Sequence, residues 1–265
     1  MNGFDEIARD YDDDFTYSEI GKAQRNQVYT YMDLDEVVFQ SRKILELNCG
    51  TGYDAAILAQ RGGEVLAIDA SSEMIEVANE RVESLGLSDR ISFKVADINN
   101  LDKELGDQKF DVVFSNFGGL NCLSPSELKT MFRSIDGHLL PGSSMIGVIM
   151  SDFCWWESVY FTLKGQFKLT WRRKKSPQLV TLNESTTIRT WYYNFRSFHD
   201  LSNGQYTLFN AGHIGFFIPP SYMESRFKKR KWLLNIFQKL DLFLIKKWKM
   251  KYGADHFYIH LKKIK

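Results

Sequence analysis

Acidic residues and glycines recur where apolar runs of the sequence end. The run ILEL carries Glu46 and leads into the turn NCGTG, in which Gly50 and Gly52 permit a sharp bend and a close backbone approach to a ligand. Asp69 ends the run EVLAI and could accept hydrogen bonds from the vicinal hydroxyls of a ribose. Asp97 follows FKVA and could accept one from the exocyclic amine of an adenine. These residues predict a site for a ligand that contains adenosine.

Asn48 stands where the first glycine of such nucleotide-binding loops usually stands. Among the residues other than glycine, asparagine most readily tolerates a positive φ, because its short side chain can hydrogen-bond to the nearby backbone. We therefore expect the loop to keep its geometry with asparagine at this position.

The scaffold for these residues is predicted from about residue 42 to 150, where short apolar runs alternate with helical patterns. Five strands are predicted at KILELN, EVLAID, ISFKVAD, FDVVFSN and SMIGVIM, with helices over AAILAQRG, EMIEVANERVESLG and SELKTMFRSIDGHLL. Ligands of open parallel sheets bind beyond the carboxyl ends of the strands, so the acidic residues and residues 115–119 should meet there. His138 precedes the fifth strand and is expected at the opposite edge.

The segments LELNCGTG, DASSEMI, VADI and FDVVFSN together resemble the cofactor motifs of class I S-adenosylmethionine-dependent methyltransferases. Within that superfamily the chain is most similar to small-molecule methyltransferases of the type that includes quinone-pathway enzymes. The resemblance covers residues 1–150 and is only general beyond them. It implies S-adenosylmethionine as the cofactor and an α/β fold: a Rossmann-like seven-stranded sheet with helices on both faces, and an aromatic-rich cap after the fifth strand. The last strand, HFYIHLKKI, would be antiparallel.

The resemblance also implies roles for individual residues. Glu46 and the loop 48–52 would hold the methionine moiety, and Arg25 would pair with its carboxylate. Ser115 and Asn116 would lie beside the transferable methyl group. The predicted cofactor-binding residues are Tyr11, Arg25, Glu46, Asn48, Gly50, Thr51, Gly52, Asp69, Ala70, Met74, Ala96, Asp97, Ile98, Ser115 and Asn116.

Two alternatives to this cofactor site stay open. GTGYDA satisfies G-x-G-x-x-[GA], and Asp69 lies near the distance expected for the ribose of a nicotinamide dinucleotide. Glu46 would be unfavourable beside a pyrophosphate, and Asp97 adds a second contact to adenosine, so the methyl donor is favoured over an NAD-dependent oxidoreductase. Asp69 or Asp97 taken singly is more often a helix cap.

The chemistry of methyl transfer requires few protein groups. A sulfonium methyl is already activated, so the enzyme aligns the acceptor and excludes water, and a base is needed only where the acceptor must lose a proton. The sequence does not identify this base; the candidates are Asn116, His199 and His213, although a histidine among aromatic residues is more often structural. A cofactor-binding interaction module without catalytic activity is therefore a further alternative.

Composition and motifs exclude several classes of partner. The formal net charge is +1, and the turn SNFGG lacks the N-P-P-[FY] pattern of base-methylating enzymes, so no nucleic-acid acceptor is expected. No cysteine or histidine cluster has zinc spacing, and no metal is predicted. Three cysteines without a framework spacing and an acidic start, MNGFDEIARDYDDDF, favour a cytoplasmic location.

Residues 151–255 are predicted to form a substrate cap between the cofactor domain (1–150) and the final strand (256–265). Within it, a helix is expected over 154–168 and strands are expected near 187–193 and 207–218. All six tryptophans lie there, which suits a pocket for a small hydrophobic or aromatic acceptor or, equally, the core of the cap.

A helix over 231–248 places Leu233, Phe237, Leu240, Leu244 and Trp248 on one face. Its basic flanks, within 228–251, suit either a solvated cap helix or contact with an anionic membrane. We thus predict methyl transfer to oxygen, carbon or nitrogen of a small acceptor.

Overall fold

The computed structural model describes residues 4–181, 187–227, 229–247 and 252–264. Nine strands occur in these ranges: β1 (Lys43–Leu47), β2 (Glu64–Asp69), β3 (Ile91–Val95), β4 (Phe110–Ser115), β5 (Leu139–Met150), β6 (Gln178–Thr181), β7 (Thr187–Thr190), β8 (Tyr206–Ile214) and β9 (His256–Lys263). Seven of them form one sheet in the order β3-β2-β1-β4-β5-β9-β8. The strands β1 to β5 are parallel, and β9 pairs antiparallel with both β5 and β8. The predicted seven-stranded sheet and its antiparallel last strand are confirmed.

Helices connect and cover these strands. They are α1 (Glu19–Leu34), α2 (Tyr53–Gln60), α3 (Ser72–Ser84), α4 (Leu101–Leu105), α5 (Pro125–His138), α6 (Trp155–Leu163), α7 (Phe195–Asp200), α8 (Glu224–Phe227) and α9 (Lys231–Lys247). Adjacent residues of a strand point to opposite faces, so Leu45 packs with α5 and α7 while Ile44 packs with α1, α2 and α3. Both faces of the sheet are therefore buried, as the apolar runs predict.

Four predicted element boundaries differ from the structure. The helix expected over 154–168 ends at Leu163, and β5 begins at Leu139, before the predicted strand SMIGVIM. The strand expected near 187–193 does not join the main sheet but pairs with β6 in a two-stranded sheet. The strand expected near 207–218 ends at Ile214.

The buried side of α9 coincides only in part with the predicted face, of which Leu233 and Phe237 are partly buried. Leu234, Asp241 and Ile245 are its buried residues, whereas Leu240 is exposed. Trp248, which completes the predicted face, lies outside the described residues. No helix in the described ranges is long and apolar enough to cross a membrane.

Candidate active site

A cavity of about 560 Å³ lies beyond the carboxyl ends of β1, β2 and β4. This volume falls in the range of roughly 300–1,000 Å³ that is usual for small-molecule sites. The order of the strands reverses between β1 and β4, and the site of an open α/β sheet is expected at such a switch point. The segment 4–25 and residues from the second half of the chain cover the cavity.

The loop after β1 has the left-handed backbone that its sequence predicts. Asn48, Gly50 and Gly52 have φ values of 55°, 53° and 71°. The positive φ expected of Asn48 is confirmed, and its side chain packs on Gly119, where an added Cβ would overlap it. A Cβ at Gly52 would lie 2.9 Å from the side chains of Ala78 and Phe93. Glycine is therefore required there both by backbone conformation and by helix packing.

Asp69 ties this loop to the end of β2. One carboxylate oxygen accepts the Gly50 N–H at 2.9 Å, and the other accepts the Ser71 N–H at 2.9 Å. Burial raises the pKa of Asp69, and these backbone donors oppose the rise. Asp97 lines the cavity and also caps the turn Ile98–Asn100, accepting the Asn99 N–H at 2.9 Å. Asp97 can therefore cap this turn and line the cavity at the same time.

Arg25 lines the cavity and is bound there to a carboxylate of the chain. Its Nε donates to Asp54 Oδ1 at 3.0 Å and its Nη2 donates to Asp54 Oδ2 at 3.2 Å. The Tyr29 hydroxyl and the Asn116 amide also donate to the same carboxylate. Asp54 lies in the first turn of α2 and was not predicted as a site residue. Its carboxylate binds Arg25, the residue that the resemblance pairs with the methionine carboxylate.

Two acceptor atoms beside the Asp54 cluster are buried without a hydrogen-bond partner among the described residues, Glu46 Oε2 and Asn48 Oδ1. Burial raises the pKa of Glu46 well above its usual value, and the neighbouring Asp54 charge raises it further. A positively charged donor in the cavity would satisfy these atoms and stabilise the Glu46 carboxylate.

The remaining predicted cofactor residues also gather at this cavity. All of them line it except Gly52, Ala96 and Ser115, which lie in the adjacent backbone. Of the three catalytic candidates only Asn116 lines it. His199 binds the Tyr206 carbonyl at 2.9 Å, and His213 is fully buried 3.6 Å from Asp241, so neither histidine has the position of a base.

The tryptophans do not line the cavity, as far as the structure describes them. Trp155 and Trp156 stack on each other and donate to the carbonyls of Phe216 and Phe217. These two tryptophans therefore belong to the core of the cap. Other residues of the second half, not singled out from the sequence, form the outer wall instead: Val180, Ile188, Tyr192, Tyr222, Asp255 and His256.

The lining of the cavity is acidic. Among the described residues it includes three arginines against seven carboxyl groups, namely Arg25, Arg172 and Arg173 against Glu46, Asp54, Asp69, Asp97, Glu127, Glu157 and Asp255. Each arginine is already paired with a carboxylate of the set. The carboxylates in excess of the arginines give the cavity a negative electrostatic potential, which favours a cationic ligand over a phosphate.

Comparison with known proteins finds similarity over part of the chain. Residues 44–142 match a family model described as a methyltransferase domain. A demethylmenaquinone methyltransferase from Clavibacter sepedonicus is 35% identical over 122 residues, which cover 46% of this chain and 47% of that protein. Over this segment the chain is similar to methyltransferases.

Solved structures of methyltransferases share the fold of this chain. An S-adenosylmethionine-dependent methyltransferase from Clostridium acetobutylicum ATCC 824 has a TM-score of 0.61 at 16% identity, with all of both chains covered. A geranyl diphosphate C-methyltransferase from Streptomyces coelicolor A3(2), in complex with S-adenosyl-L-homocysteine, has a TM-score of 0.56 at 12% identity, with 91% of this chain and 80% of that chain covered. At these identities the likeness concerns the fold. The chain spans about a third to a half of the length of the curated relatives it matches.

S-adenosylmethionine is the cofactor that the resemblance implies. The cavity fits it in charge, because the cofactor carries a sulfonium and an ammonium group and the lining is acidic. Glu46 Oε2 and Asn48 Oδ1, which have no hydrogen-bond partner among the described residues, could accept hydrogen bonds from the ammonium group. Among the described residues, no group of three or more metal-ligating side chains could hold a metal ion.

Proposed function

We propose that this chain transfers the methyl group of S-adenosylmethionine to a small, hydrophobic or aromatic acceptor. The observation that carries the proposal is the acidic cavity at the switch point of the sheet, with buried acceptors that lack partners. Such a lining stabilises a cation and would repel the pyrophosphate of a nicotinamide dinucleotide. It therefore favours the methyl donor over the NAD alternative.

The ends of the cofactor are assigned from the chemistry of the lining. Glu46 and the loop 48–52 would accept hydrogen bonds from the methionine ammonium. Asp69 would bind the ribose hydroxyls with the lone pairs that Gly50 and Ser71 leave free, and Asp97 would accept from the adenine amine. Met74 is buried and lines the same part of the cavity, where it would pack on the adenine ring.

For the carboxylate of the methionine moiety we propose a partner other than Arg25. Arg25 is bound by Asp54 through two of its nitrogens. The N-terminus of α2 provides backbone N–H groups close to the loop, and these can bind a carboxylate. We assign Arg25 a second role, as the residue that holds Asp54 and Asn116 together beside the methyl group.

The N-terminal segment closes the cofactor part of the cavity. Asp12 accepts the Thr51 hydroxyl at 2.8 Å and also binds Arg81, and Asp5 accepts the Ser71 hydroxyl at 2.6 Å. Tyr11 lines the cavity beneath this segment, and burial raises its pKa to about 12. Segment 4–16 thereby excludes water from the sulfonium, which methyl transfer requires.

The outer part of the cavity argues against the alternative of a binding module without activity. Phe15, Phe117, Tyr192 and Tyr222 provide apolar surface beyond the part assigned to the cofactor. A protein that only bound the cofactor would not need this second space. The apolar surface suits an aromatic or hydrophobic acceptor.

The test is transfer of an isotopically labelled methyl group from S-adenosylmethionine to a panel of phenols, amines, thiols and carboxylic acids. We expect labelled product from at least one hydrophobic member of the panel, and S-adenosylhomocysteine formed in equal amount. Binding of the cofactor without transfer to any class would favour the binding module. Binding of NAD without binding of S-adenosylmethionine would favour the oxidoreductase.

A further inference from the structure

His256 is the first residue of β9 and faces the proposed site of methyl transfer. Because β9 runs antiparallel to β5, its first residue lies beside Met150, at the carboxyl edge of the sheet. The imidazole lines the cavity and meets the ring of Phe117 edge-on, with 5.4 Å between ring centroids. Phe117 directly follows Asn116, so the imidazole lies on the side of the cavity where β4 ends.

The Asp255 carboxylate lies against this imidazole. Its Oδ2 lies 3.2 Å from His256 Nδ1 and accepts the Gln24 amide of α1 at 3.1 Å. Its Oδ1 accepts Arg173 Nη2 at 2.6 Å. Burial alone would raise the pKa of Asp255, but the neighbouring His256 and Arg173 hold it below its usual range. Nδ1 makes no hydrogen bond among the described residues, but the ionised Asp255 carboxylate beside it favours a proton on Nδ1, which leaves Nε2 as the basic nitrogen.

Arg173 also donates hydrogen bonds to other groups. Its Nη2 also donates to Glu157 Oε1 at 2.8 Å, and its Nη1 donates to the backbone carbonyls of Ser151 and Asp255. Arg173, Glu157 and Asp255 are all buried. This network holds the Asp255 carboxylate in place beside the imidazole in the wall of the cavity.

We propose that His256, positioned by Asp255, is the general base of the reaction, and that the acceptor is an aromatic compound with a weakly acidic hydroxyl group. The proposal rests on the proposed methyl transfer. A base assists only an acceptor that must lose a proton, and the aromatic lining by Phe117, Tyr192 and Tyr222 selects a flat ring. Arg172 and Arg173 are both bound to Glu157, so this part of the cavity does not favour a carboxylate acceptor.

The proposed step moves one proton and one methyl group. Nε2 of His256 takes the hydroxyl proton while the acceptor oxygen forms a bond to the methyl carbon. The carbon–sulfur bond breaks, and its electron pair stays on sulfur. The products are a methyl ether, S-adenosylhomocysteine and an imidazolium ion, which the Asp255 carboxylate stabilises.

The test compares wild type and His256→Gln on para-substituted phenols, from 4-methoxyphenol, which is weakly acidic, to 4-nitrophenol, which ionises in slightly alkaline buffer without a base. Removal of a general base typically costs about 10²–10⁴-fold in rate. We expect a loss of this size in kcat/KM on 4-methoxyphenol and a much smaller loss on 4-nitrophenol. Asp255→Asn should shift the rates in the same pattern, because it acts through the imidazole.

The controls separate this role from a structural one. His256→Asn provides a second variant if His256→Gln does not fold, and both must retain cofactor affinity by calorimetry. His199→Gln, a histidine variant outside the cavity, should leave the dependence on phenol acidity unchanged.

Each outcome decides a part of the proposal. An equal loss on all phenols in variants that bind the cofactor would overturn the role of His256 as base. Failure of wild type to methylate any phenol, although it binds S-adenosylmethionine, would overturn the acceptor class. Methylation of an amine or a carboxylic acid in that case would leave the proposed function standing, whereas absence of cofactor binding would remove both.

Discussion

Asp69 shows at the scale of one residue how a motif acid serves two purposes. Its carboxylate accepts N–H groups from the loop after β1 and from the start of α3, so it holds together the two turns that bound the cofactor part of the cavity. The same carboxylate lines the cavity. Loss of this side chain should therefore disturb the binding surface as well as remove one direct contact.

Replacement of Asp69 by alanine should weaken binding of S-adenosylmethionine by about 2–3 kcal/mol, which is roughly 30–150-fold, because buried donors lose their acceptor. Calorimetric titration measures this change. Asp111→Ala is the matched control. Asp111, like Asp69, accepts a backbone N–H, but it lies at the amino edge of the sheet, where it also binds Arg42. Equal affinity in wild type and Asp69→Ala would show that Asp69 does not contact the cofactor.

Asp241 is a buried acid outside the cavity, and it makes stability depend on pH. It is 0% exposed and accepts hydrogen bonds from the backbone of Phe217 and Ile218 and from Gln27. Burial raises its pKa to about 6, and the hydrogen bonds only partly oppose the rise. The folded state then binds a proton more tightly than the unfolded chain, whose aspartates titrate near pH ~4. Stability through this group is therefore greatest below pH ~4 and is lost as the pH rises to about 6.

Asp241→Asn removes this titration. The free energy of unfolding of wild type relative to the variant should fall by on the order of 3 kcal/mol between about pH 4 and pH 7. Urea unfolding of both proteins at several pH values gives this difference, in which the other titrating groups cancel. A difference that stays constant over this range would contradict the raised pKa of Asp241.

The sequence predicts some site residues and not others for a physical reason. Glu46, Asp69 and Asp97 follow strands that can be recognised locally, so their common edge follows from the sheet. The bond between Arg25 and Asp54 depends on how α1 packs on α2, which no local pattern contains. Asp255 and His256 could have been found, because an antiparallel last strand must begin at the edge where the ligand binds.

At the scale of elements, the strands of the main sheet were predictable and the orientation of α9 was not. Apolar residues occur on more than one side of α9, so periodicity alone does not select the buried face. The structure buries the side with Asp241, whose carboxylate binds the backbone after β8. An exposed stripe remains, formed by Trp232 (64% exposed), Ile236 (45%), Leu240 (41%) and Phe243 (60%).

We propose that this stripe contacts an anionic membrane, since exposed Lys239, Lys246 and Lys247 lie on the same helix. Wild type should float with vesicles of phosphatidylglycerol and phosphatidylcholine and not with phosphatidylcholine alone, and salt should weaken the binding. Trp232→Ser with Phe243→Ser should abolish flotation. Val38→Ser with Leu140→Ser, which removes exposed apolar residues elsewhere, should not. Absence of flotation in wild type would contradict the membrane contact.

At the scale of the whole molecule, the second half of the chain completes the sheet and also covers the site. β8 and β9 extend the sheet, whereas Arg172, Arg173, Tyr192 and Tyr222 line the cavity from the segment between β5 and α8. The sequence predicts a cap there from its aromatic content. It does not show which aromatics face the cavity, because tryptophans that bury their rings and N–H groups in the cap have the same composition as tryptophans that line a pocket. The predicted division at residues 150 and 255 and the cytoplasmic location stay predictions.

The measurement that tests the central claim most directly is calorimetric titration of the protein with S-adenosylmethionine and S-adenosylhomocysteine, with NAD as the control. The acidic cavity predicts binding of both sulfur compounds in the micromolar range and no binding of NAD. Binding of NAD together with no heat from S-adenosylmethionine would contradict the assignment of the cavity.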